Sequence, residues 1–236
     1  MDKVELLKTK INNTNEQLNL NGRSRIVTFL NPYSYLYYRK NLNLFSQFDE
    51  INIDSISLVL LLKFFVVKTK RLSFDMTSLA PLVFNSCTNN NQKIYFVGSS
   101  KGSIAEFIKK IKEDFSNMNI IGYRNGYFRN SDERKLEINK IVEKNPDIVV
   151  VGMGTPMQEE FLLSLKTYGW DGVGYSCGGF IHQTAKDINY YPNFLNKYNL
   201  RWLYRIYDEP KLFKRYLLLY PKSIALFIFD VLKSKL

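Results

Sequence analysis

The sequence has few of the residues that build disulfide frameworks and metal sites. Its 236 residues include two cysteines, Cys87 and Cys177, which lie far apart and form no CxxC pair, and one histidine, His182. This composition argues against a disulfide framework and against a cysteine-based metal site. It is typical of proteins in a reducing cytoplasm.

Long apolar runs are also missing. The run "ISLVLLLKFFVV", residues 56 to 67, has only 12 residues, which predicts a buried helix rather than a membrane span. The first 25 residues are polar and contain no apolar core of a signal peptide. The last run, "SIALFIFDVLKSKL", contains Asp230 and is flanked by lysines, so we predict that it lies on a membrane surface rather than crossing it.

Positive charge, in contrast, is abundant and concentrated. The net charge is +11, and residues 197 to 236 hold nine basic and three acidic residues, a local charge of +6. The same segment mixes Trp, Tyr and Leu with Arg and Lys. Such a tail favours an anionic partner, a class that includes nucleotides, nucleic acids and acidic membranes.

Apolar runs that end in polar or glycine turns predict the fold. Strands alternate with helical stretches, which indicates βαβ units and a mostly parallel, Rossmann-like α/β sheet with binding loops at the carboxyl ends of its strands. We predict an α/β domain over residues 1–195 and a basic helical appendage over residues 196–236, cut into short helices by Pro210 and Pro221. The predicted strands are residues 25–31, 93–97, 119–121, the run "IVVVG" and a run that starts near Asp171.

The segment "IVVVGMGTPMQEEF", residues 148 to 161, combines a buried strand, a glycine turn and a helix start. Gly152 and Gly154 allow a sharp turn and a close approach to a ligand. Thr155 is predicted as the helix N-cap, with Gln158 completing a capping box. The helix N-terminus favours an anion, but a purely structural role of the capping residues fits the pattern equally well. The segment is neither a GxGxxG motif nor a P-loop.

Seven segments, in a consistent order, resemble the WecG/TagA/CpsF family of bacterial glycosyltransferases. The resemblance covers roughly residues 25 to 220, and the joint order of the motifs makes it specific. The segments are "FLNPYSYL", "INIDSISLV", "RLSFDM", "FVGSSKGS", "GYRNGYF", "VVVGMGTPMQEEFL" and "LRWLYRIYDEPKLFKRY".

This resemblance implies a chemistry. Members of the family transfer a sugar from a nucleotide diphosphate sugar, commonly UDP-N-acetylmannosamine, to a polyprenyl-diphosphate-linked sugar, with inversion and without a known metal. The chain would then be an inverting glycosyltransferase that takes part in the synthesis of a surface polysaccharide, such as capsule or O-antigen. Residues 1–195 would be its catalytic domain, and residues 196–236 would associate with the membrane and close the active site. It would lie on the inner face of the bacterial cell membrane and need no cofactor. Its partners would be a UDP-sugar donor, the lipid-linked acceptor and the membrane surface, but no nucleic acid. A homo-oligomer is left open.

The resemblance assigns the catalytic base to Asp54, because a one-step inversion needs a base on the acceptor hydroxyl. From the sequence alone, the N-cap of the helix that follows is the favoured role of Asp54, and the two roles are compatible with each other. Two neighbouring positions depart from the family: Ser55 stands where glycine is usual, and Phe29 stands where members can carry threonine. Thr28 would face the other side of the strand.

The leaving diphosphate needs positive charge. The chain has no DxD motif that would hold a divalent cation, so protein cations must stabilise the diphosphate. By resemblance, the basic positions of the family's tail correspond to Arg205, Lys214 and Arg215, and arginine suits bidentate binding of phosphate. The alternative for these cations is a solvated face or attraction to anionic lipid.

Further positions would bind the substrate by resemblance. For Tyr127 a packed core aromatic is an equally good interpretation, and at His182 the family usually has aspartate. This departure leaves the donor open to another UDP-linked hexose or uronic acid. The implied substrate-binding residues are Asn31, Arg71, Asp75, Gly98, Gly126, Tyr127, Gly152, Gly154, Thr155, Gln158, Glu159 and His182.

The sequence is also compatible with two other classes of protein. The net charge and the aromatic, basic tail are compatible with a nucleic-acid-binding α/β module, although no nucleic-acid-binding motif is present. A Rossmann oxidoreductase is the other alternative, and the missing GxGxxG after the first strand argues against it.

Overall fold

Six parallel strands form the centre of the molecule. The computed structural model describes residues 2–11, 23–198 and 200–235. The strands are β1 (Arg25–Leu30), β2 (Glu50–Ile53), β3 (Lys93–Gly98), β4 (Asn119–Arg124), β5 (Ile148–Gly152) and β6 (Val173–Ser176). Their order is β2-β1-β6-β5-β3-β4, and every neighbouring pair is parallel. The predicted Rossmann-like α/β sheet is confirmed.

Strand β2 is the element that the sequence did not predict. It has only four residues, EINI, in which polar and apolar side chains alternate, and a strand this short is below the average length. Strand β4 runs three residues beyond the predicted 119–121. All five residues of β5 are buried, as expected for a parallel strand with helices on both faces.

Helices cover both faces of the sheet. They are α1 (Lys3–Lys10), α2 (Pro32–Tyr38), α3 (Leu42–Phe45), α4 (Ile56–Phe65), α5 (Leu79–Asn89), α6 (Lys101–Asp114), α7 (Ser131–Lys144), α8 (Met157–Thr167), α9 (Phe180–Lys186), α10 (Asn193–Lys197), α11 (Arg201–Asp208) and α12 (Tyr220–Ser234), with a 3₁₀ turn at Pro210–Leu212 and a π-helical segment at Arg215–Leu219.

Two apolar clusters hold the helices to the sheet. On one face α1, α2, α4, α8 and α12 pack around residues such as Tyr35 and Trp170. On the other face α5, α6 and α9 pack around a group of phenylalanines that includes Phe84 and Phe107. Strand side chains alternate between the two clusters, so the loops at the strand ends are placed by a core on each side.

Helix α4 is only half buried, and the prediction of a buried helix is wrong for its outer face. Leu58, Val59 and Leu62 are buried, whereas Leu60 is 58% and Phe64 84% exposed. An apolar run of this length completes almost three helical turns, but only one face of it contacts the sheet.

The last helix, α12, packs on the protein itself. Phe227 is fully buried, and the buried Asp230 accepts hydrogen bonds from Tyr35 Oη (2.8 Å) and from Arg39 Nη2 (2.9 Å). Phe229 and Leu232 on the opposite face remain exposed. No helix in the described ranges has the length and apolarity to cross a bilayer. The domain division at residue 195 stays a prediction.

Candidate active site

One large cavity opens at the carboxyl ends of the strands. Its volume is about 1270 Å³, and it is lined by loops that follow all six strands and by residues of the tail. Parallel sheets bind their ligands at this edge. Eleven of the predicted site residues line it: Asn31, Asp54, Arg71, Asp75, Tyr127, Gly154, Thr155, Gln158, His182, Arg205 and Arg215.

Asp54 follows β2 and lines the cavity, where 39% of its side chain is exposed. Its backbone N–H donates to Leu30 O at 2.8 Å, which ties together the ends of β2 and β1. The next residue, Ser55, caps α4, because its hydroxyl accepts a hydrogen bond from Leu58 N at 3.3 Å. The interpretation of Asp54 as the N-cap is therefore wrong, and its carboxylate faces the cavity.

Arg71 connects Asp54 to Asp75. Its Nη2 lies 3.8 Å from Asp54 Oδ1 and 3.1 Å from Asp75 Oδ2, and its Nε donates to the backbone oxygen of Asp54 at 2.9 Å. Arg201, from α11, reaches the same Asp75 oxygen at 2.8 Å. This cluster fixes the loop around Asp75 and ties it to the tail.

The two carboxylates of this cluster have pKa values that are shifted in opposite directions. Partial desolvation inside the cavity raises the pKa of Asp54, and the charge of Arg71 opposes that shift only in part. Burial also acts to raise the pKa of Asp75, but the charge of Arg201 and hydrogen bonds such as that from Ser73 lower it below the usual value. Such a divergence is typical of acid–base sites, and it makes Asp54 the better proton acceptor.

Three of the predicted glycines do not line the large cavity but allow close packing of the backbone. A Cβ on Gly98 would lie 2.4 Å from Gly152 O, and one on Gly126 would lie 3.1 Å from Gly98 Cα. A Cβ on Gly152 would meet Cys177 Sγ at 2.9 Å. These residues bring the ends of β3 and β5 together. Gly126 and Gly152 also border a second cavity of about 750 Å³, which shares Tyr127 with the first.

Gly154 and Gly178 behave differently. Both line the large cavity, and both have the left-handed backbone that favours glycine, with φ of +77° and +54°. A Cβ on either residue would meet no atom within 4 Å. At these two turns the bare backbone therefore leaves room for a ligand.

A buried hydrogen-bond network supports this wall. Gln158 Oε1 accepts from Gly178 N at 3.1 Å, and Gln158 Nε2 donates to Glu159 Oε1 at 2.9 Å. Thr28 Oγ1 donates to the same Glu159 oxygen at 2.8 Å. Glu159 itself is fully buried and does not line the cavity, and burial raises its pKa. The structure thus places Glu159 behind Gln158, where it holds the side chain that faces the ligand space.

Thr155 belongs to the same network instead of capping α8. The helix begins at Met157, and Pro156 occupies the N-cap position without a side-chain capping bond. The Thr155 hydroxyl donates to Glu159 Oε1 at 3.3 Å. The predicted N-cap and capping box are therefore wrong, because the buried carboxylate competes for the hydroxyl and the amide.

Arg205 carries an unsatisfied donor. Its Nη2 lies 2.9 Å from Glu209 Oε1, but its buried Nη1 has no hydrogen-bond partner among the described residues. A Cβ on Gly179 would come within 3.2 Å of this nitrogen, so the glycine makes room for the guanidinium. An unpaired buried N–H costs about 1–3 kcal/mol. An anionic oxygen in the cavity would remove that cost.

The other tail cations divide into two groups. The guanidinium of Arg215 lies 3.9 Å from the centre of the Tyr33 ring and lines the cavity, whereas Lys214 is exposed and does not. Arg201 and Lys211 line the cavity although neither was predicted. For Arg201 a signal existed: it precedes Arg205 by four residues, a spacing that places both on one helix face.

His182 lies on α9 and lines the cavity. Its Nδ1 is 3.4 Å from the hydroxyl of Ser103, which lines the cavity as well. Burial lowers the pKa of His182, so the ring is neutral near pH 7. A neutral imidazole can donate to one hydroxyl and accept from another.

The part of the chain that the structure describes contains no group of three His, Cys, Asp or Glu side chains that could hold a metal ion. Independence of metal ions stays a prediction. A cavity with a carboxylate of raised pKa, an arginine with an unpaired donor and two open glycine turns is typical of an enzyme site for an anionic ligand.

Comparison with known proteins identifies the family to which this chain belongs. The model of the "Glycosyl transferase WecG/TagA/CpsF family" matches residues 3–236. The chain belongs to this family, and it is a glycosyltransferase.

Two relatives show the range of the family. The chain is 40% identical, over 204 residues, to a UDP-Gal:alpha-D-GlcNAc-diphosphoundecaprenol beta-1,4-galactosyltransferase of Shigella boydii, and the match covers 86% of this chain and 85% of the relative. It is 29% identical, over 193 residues, to an N-acetylglucosaminyldiphosphoundecaprenol N-acetyl-beta-D-mannosaminyltransferase of Bacillus spizizenii, with 80% of this chain and 70% of the relative covered.

Proposed function

We propose that the protein transfers galactose from UDP-galactose to N-acetylglucosamine carried on polyprenyl diphosphate, with inversion at the anomeric carbon. The support for this donor is the relative from Shigella boydii, whose name states this reaction and which matches 86% of the chain. N-acetylmannosamine, the donor that the sequence motifs suggested first, is named in a relative at the lower identity of 29%. The product would enter a surface polysaccharide.

The proposal depends most on one observation: Asp54 lines the same cavity as Arg205, a side chain with one unpaired donor among the described residues. A single displacement needs a base at the attacking hydroxyl and a donor at the leaving oxygen. The cavity offers both, and it is large enough to hold a donor and an acceptor sugar together.

The proposed reaction has one chemical step. The Asp54 carboxylate accepts the proton of the acceptor hydroxyl while that oxygen forms a bond to C1 of the donor sugar. The bond between C1 and the diphosphate oxygen breaks, and UDP leaves with the electron pair. Because burial raises the pKa of Asp54, its carboxylate is a stronger base than an ordinary aspartate.

Protein cations neutralise the charge that develops on UDP. Arg205 and Arg215 line the cavity and can donate several hydrogen bonds each to phosphate oxygens. Arg205 gains most from this contact because one of its donors has no partner among the described residues. Lys214, which is exposed, has no part in this proposal.

The donor would lie along the wall that the two open glycine turns leave free. Tyr127, which is 74% exposed, offers a ring for stacking with uracil. Gly154 and Gly178 allow the backbone to approach the ribose and the diphosphate. His182, neutral and paired with Ser103, is placed to contact a sugar hydroxyl.

The acceptor is a membrane lipid, and we propose that the protein works on the inner face of the cell membrane. Exposed Leu218, Phe229 and Leu232 near the carboxyl terminus supply apolar contacts. The surplus of lysine and arginine in the same segment attracts anionic lipid.

The test is a transfer assay with a panel of UDP-sugars and a lipid diphosphate-linked N-acetylglucosamine, in which UDP release and product mass are measured. We expect product with UDP-galactose and unchanged rates in the presence of a chelator. Asp54→Asn should lower kcat by about 10³-fold or more while UDP binding, measured by calorimetry, stays within about twofold. Unchanged turnover of this variant would remove Asp54 from the role of base, and the absence of product with every UDP-sugar would refute the proposed function.

A further inference from the structure

The outer face of α4 carries a line of apolar side chains that starts inside the cavity. Ile56, two residues after Asp54, lines the cavity. Leu60 and Phe64 follow at spacings of four residues, which places all three on one helix face, along about 12 Å of the axis. Leu60 is 58% and Phe64 84% exposed. We call these three residues the α4 stripe.

The tail contributes apolar side chains to the same opening. Phe213 and Leu217 line the cavity and are 51% and 58% exposed. Pro221 and Ile224 of α12 line it as well. The lining of the cavity therefore includes apolar side chains from both α4 and the tail, beside the arginines and the carboxylates.

The cavity is also larger than one nucleotide sugar requires. Its volume of about 1270 Å³ exceeds the range of about 300–1,000 Å³ that is usual for small-molecule sites. An exposed phenylalanine on its own needs no explanation, but a continuous apolar line that leads out of a site marks an interaction surface.

We propose that the α4 stripe binds the first isoprenoid units of the lipid-linked acceptor and leads this chain out of the cavity. The inference rests on the proposed function, because only an acceptor on a polyprenyl chain needs such a path. The acceptor hydroxyl must reach Asp54, and its diphosphate follows one sugar further out. The lipid chain must then leave over an apolar surface, and the stripe begins next to Asp54. Exposed Lys63, on the same face of α4, adds a cation beside this path.

The experiment compares two acceptors that differ only in their lipid. One carries the full polyprenyl chain in detergent micelles, and the other carries a short, water-soluble alkyl chain. The variant Leu60→Gln/Phe64→Gln removes the apolar surface but keeps good helix formers. Its matched control is Leu136→Gln, which alters a leucine on α7 that is 69% exposed. Thermal unfolding confirms that both variants are folded.

We expect KM for the polyprenyl acceptor to rise about tenfold or more in the double variant, because two large apolar contacts are lost. KM for the short acceptor, kcat with that acceptor and UDP binding should stay within about twofold, and the control should match the wild type with both acceptors.

Several results would overturn the inference. Equal KM values for the wild type and the variant with the polyprenyl acceptor would show that the stripe does not contact the lipid chain. Equal losses with both acceptors would assign it a structural role. Weaker sedimentation with phospholipid vesicles, together with unchanged kinetics in detergent, would make it a bilayer contact. A wild-type protein that is inactive with both acceptors would refute the proposed function itself, and the inference with it.

Discussion

The two halves of the tail are held to the protein by different forces. Residues 201 to 219, the arginine segment, have almost no buried side chains: none in α11, none in the π-helical segment, and only Leu212 between them. Helix α12, the anchor helix, buries Ser223, Phe227, Asp230 and Val231. Charged contacts such as Asp208–Lys186 (2.7 Å) and Arg201–Asp75 (2.8 Å) hold the arginine segment in place.

Because the two halves are held by different contacts, we expect the anchor helix to affect mainly stability and the arginine segment to affect mainly catalysis. The pair Asp208–Lys186 lies near the surface, where an ion pair contributes about 0–1 kcal/mol, whereas Arg201–Asp75 is mostly buried and is the stronger contact. Because the segment buries almost no apolar side chain, it can shift when a substrate enters. Burial of a large apolar side chain contributes more, so the anchor helix stays in place. We infer that the arginine segment closes over the donor while the anchor helix keeps it near the cavity. Variants in the two halves should therefore fail in different assays.

The largest effect should come from the anchor helix. Phe227→Ala removes a fully buried ring from the cluster that joins α12 to α2, and such a change costs about 3–5 kcal/mol of unfolding free energy. Phe229→Ala, on the exposed face of the same helix, should change it by less than about 0.5 kcal/mol. Chemical denaturation measures both. Equal, small losses would mean that α12 is not an anchor.

The arginine segment should show the opposite behaviour. Arg205→Gln should lower kcat/KM by about 10²–10³-fold, since the donor that we propose for the leaving diphosphate is lost. Its thermal midpoint should change little, because the loss of the ion pair with Glu209 (2.9 Å) is offset by removal of the buried Nη1, which is unpaired among the described residues, and Glu209 keeps Lys211 at 3.3 Å. Lys214→Gln, at an exposed neighbouring position, should retain kcat/KM within about twofold. A drop in stability without a drop in kcat/KM would reverse the assignment of Arg205.

Arg201 tests whether the arginine segment is held shut by polar contacts. Arg201→Gln weakens the link to Asp75 and to Thr77, so we expect KM for the UDP-sugar to rise about fivefold to tenfold. The thermal midpoint should fall only a little, because Asp75 keeps its ion pair with Arg71 at 3.1 Å. Trypsin should also cut residues 201 to 219 faster in this variant. Lys197→Gln is the control for the loss of one tail charge. An unchanged KM and unchanged cleavage would show that this contact does not limit closure.

The sequence predicts the part of the fold that depends on local pattern. Runs such as "IVVVG" are apolar along their whole length and end at glycine, so strand and turn follow from composition alone. Strand β2 was not predicted, because four residues in which polar and apolar side chains alternate are also compatible with a loop. The exposed face of α4 could not be predicted either, because an apolar run does not reveal which side meets the sheet.

The site was predicted unevenly for a similar reason. Asp54 and Gly154 follow strands, and the carboxyl ends of parallel strands meet at one edge, so their convergence on one cavity is a consequence of topology. Glu159 lies one residue beyond Gln158 and therefore points away from the cavity. Lys214 and Arg215 are adjacent too, yet only Arg215 lines the cavity, since the local helix phase decides which one faces inward.

The smallest effect that we predict is a dependence on pH of the stability that Asp230 of the anchor helix contributes. Burial acts to raise the pKa of Asp230, but hydrogen bonds from Arg39 and Tyr35 outweigh it and lower the pKa below its usual value. A carboxylate with a lowered pKa stabilises the folded state above its unfolded pKa of about 3.9, and this stability is lost as the pH falls through the folded pKa. Asp230→Asn should therefore cost about 1 kcal/mol near pH 7, and the difference from the wild type should shrink below about pH 4. Urea unfolding of both proteins across this range measures it. If the difference in unfolding free energy between the two proteins stays constant with pH, the charge of Asp230 does not hold α12. If Asp230→Asn also lowers kcat per folded molecule at pH 7, the two halves of the tail are not separable.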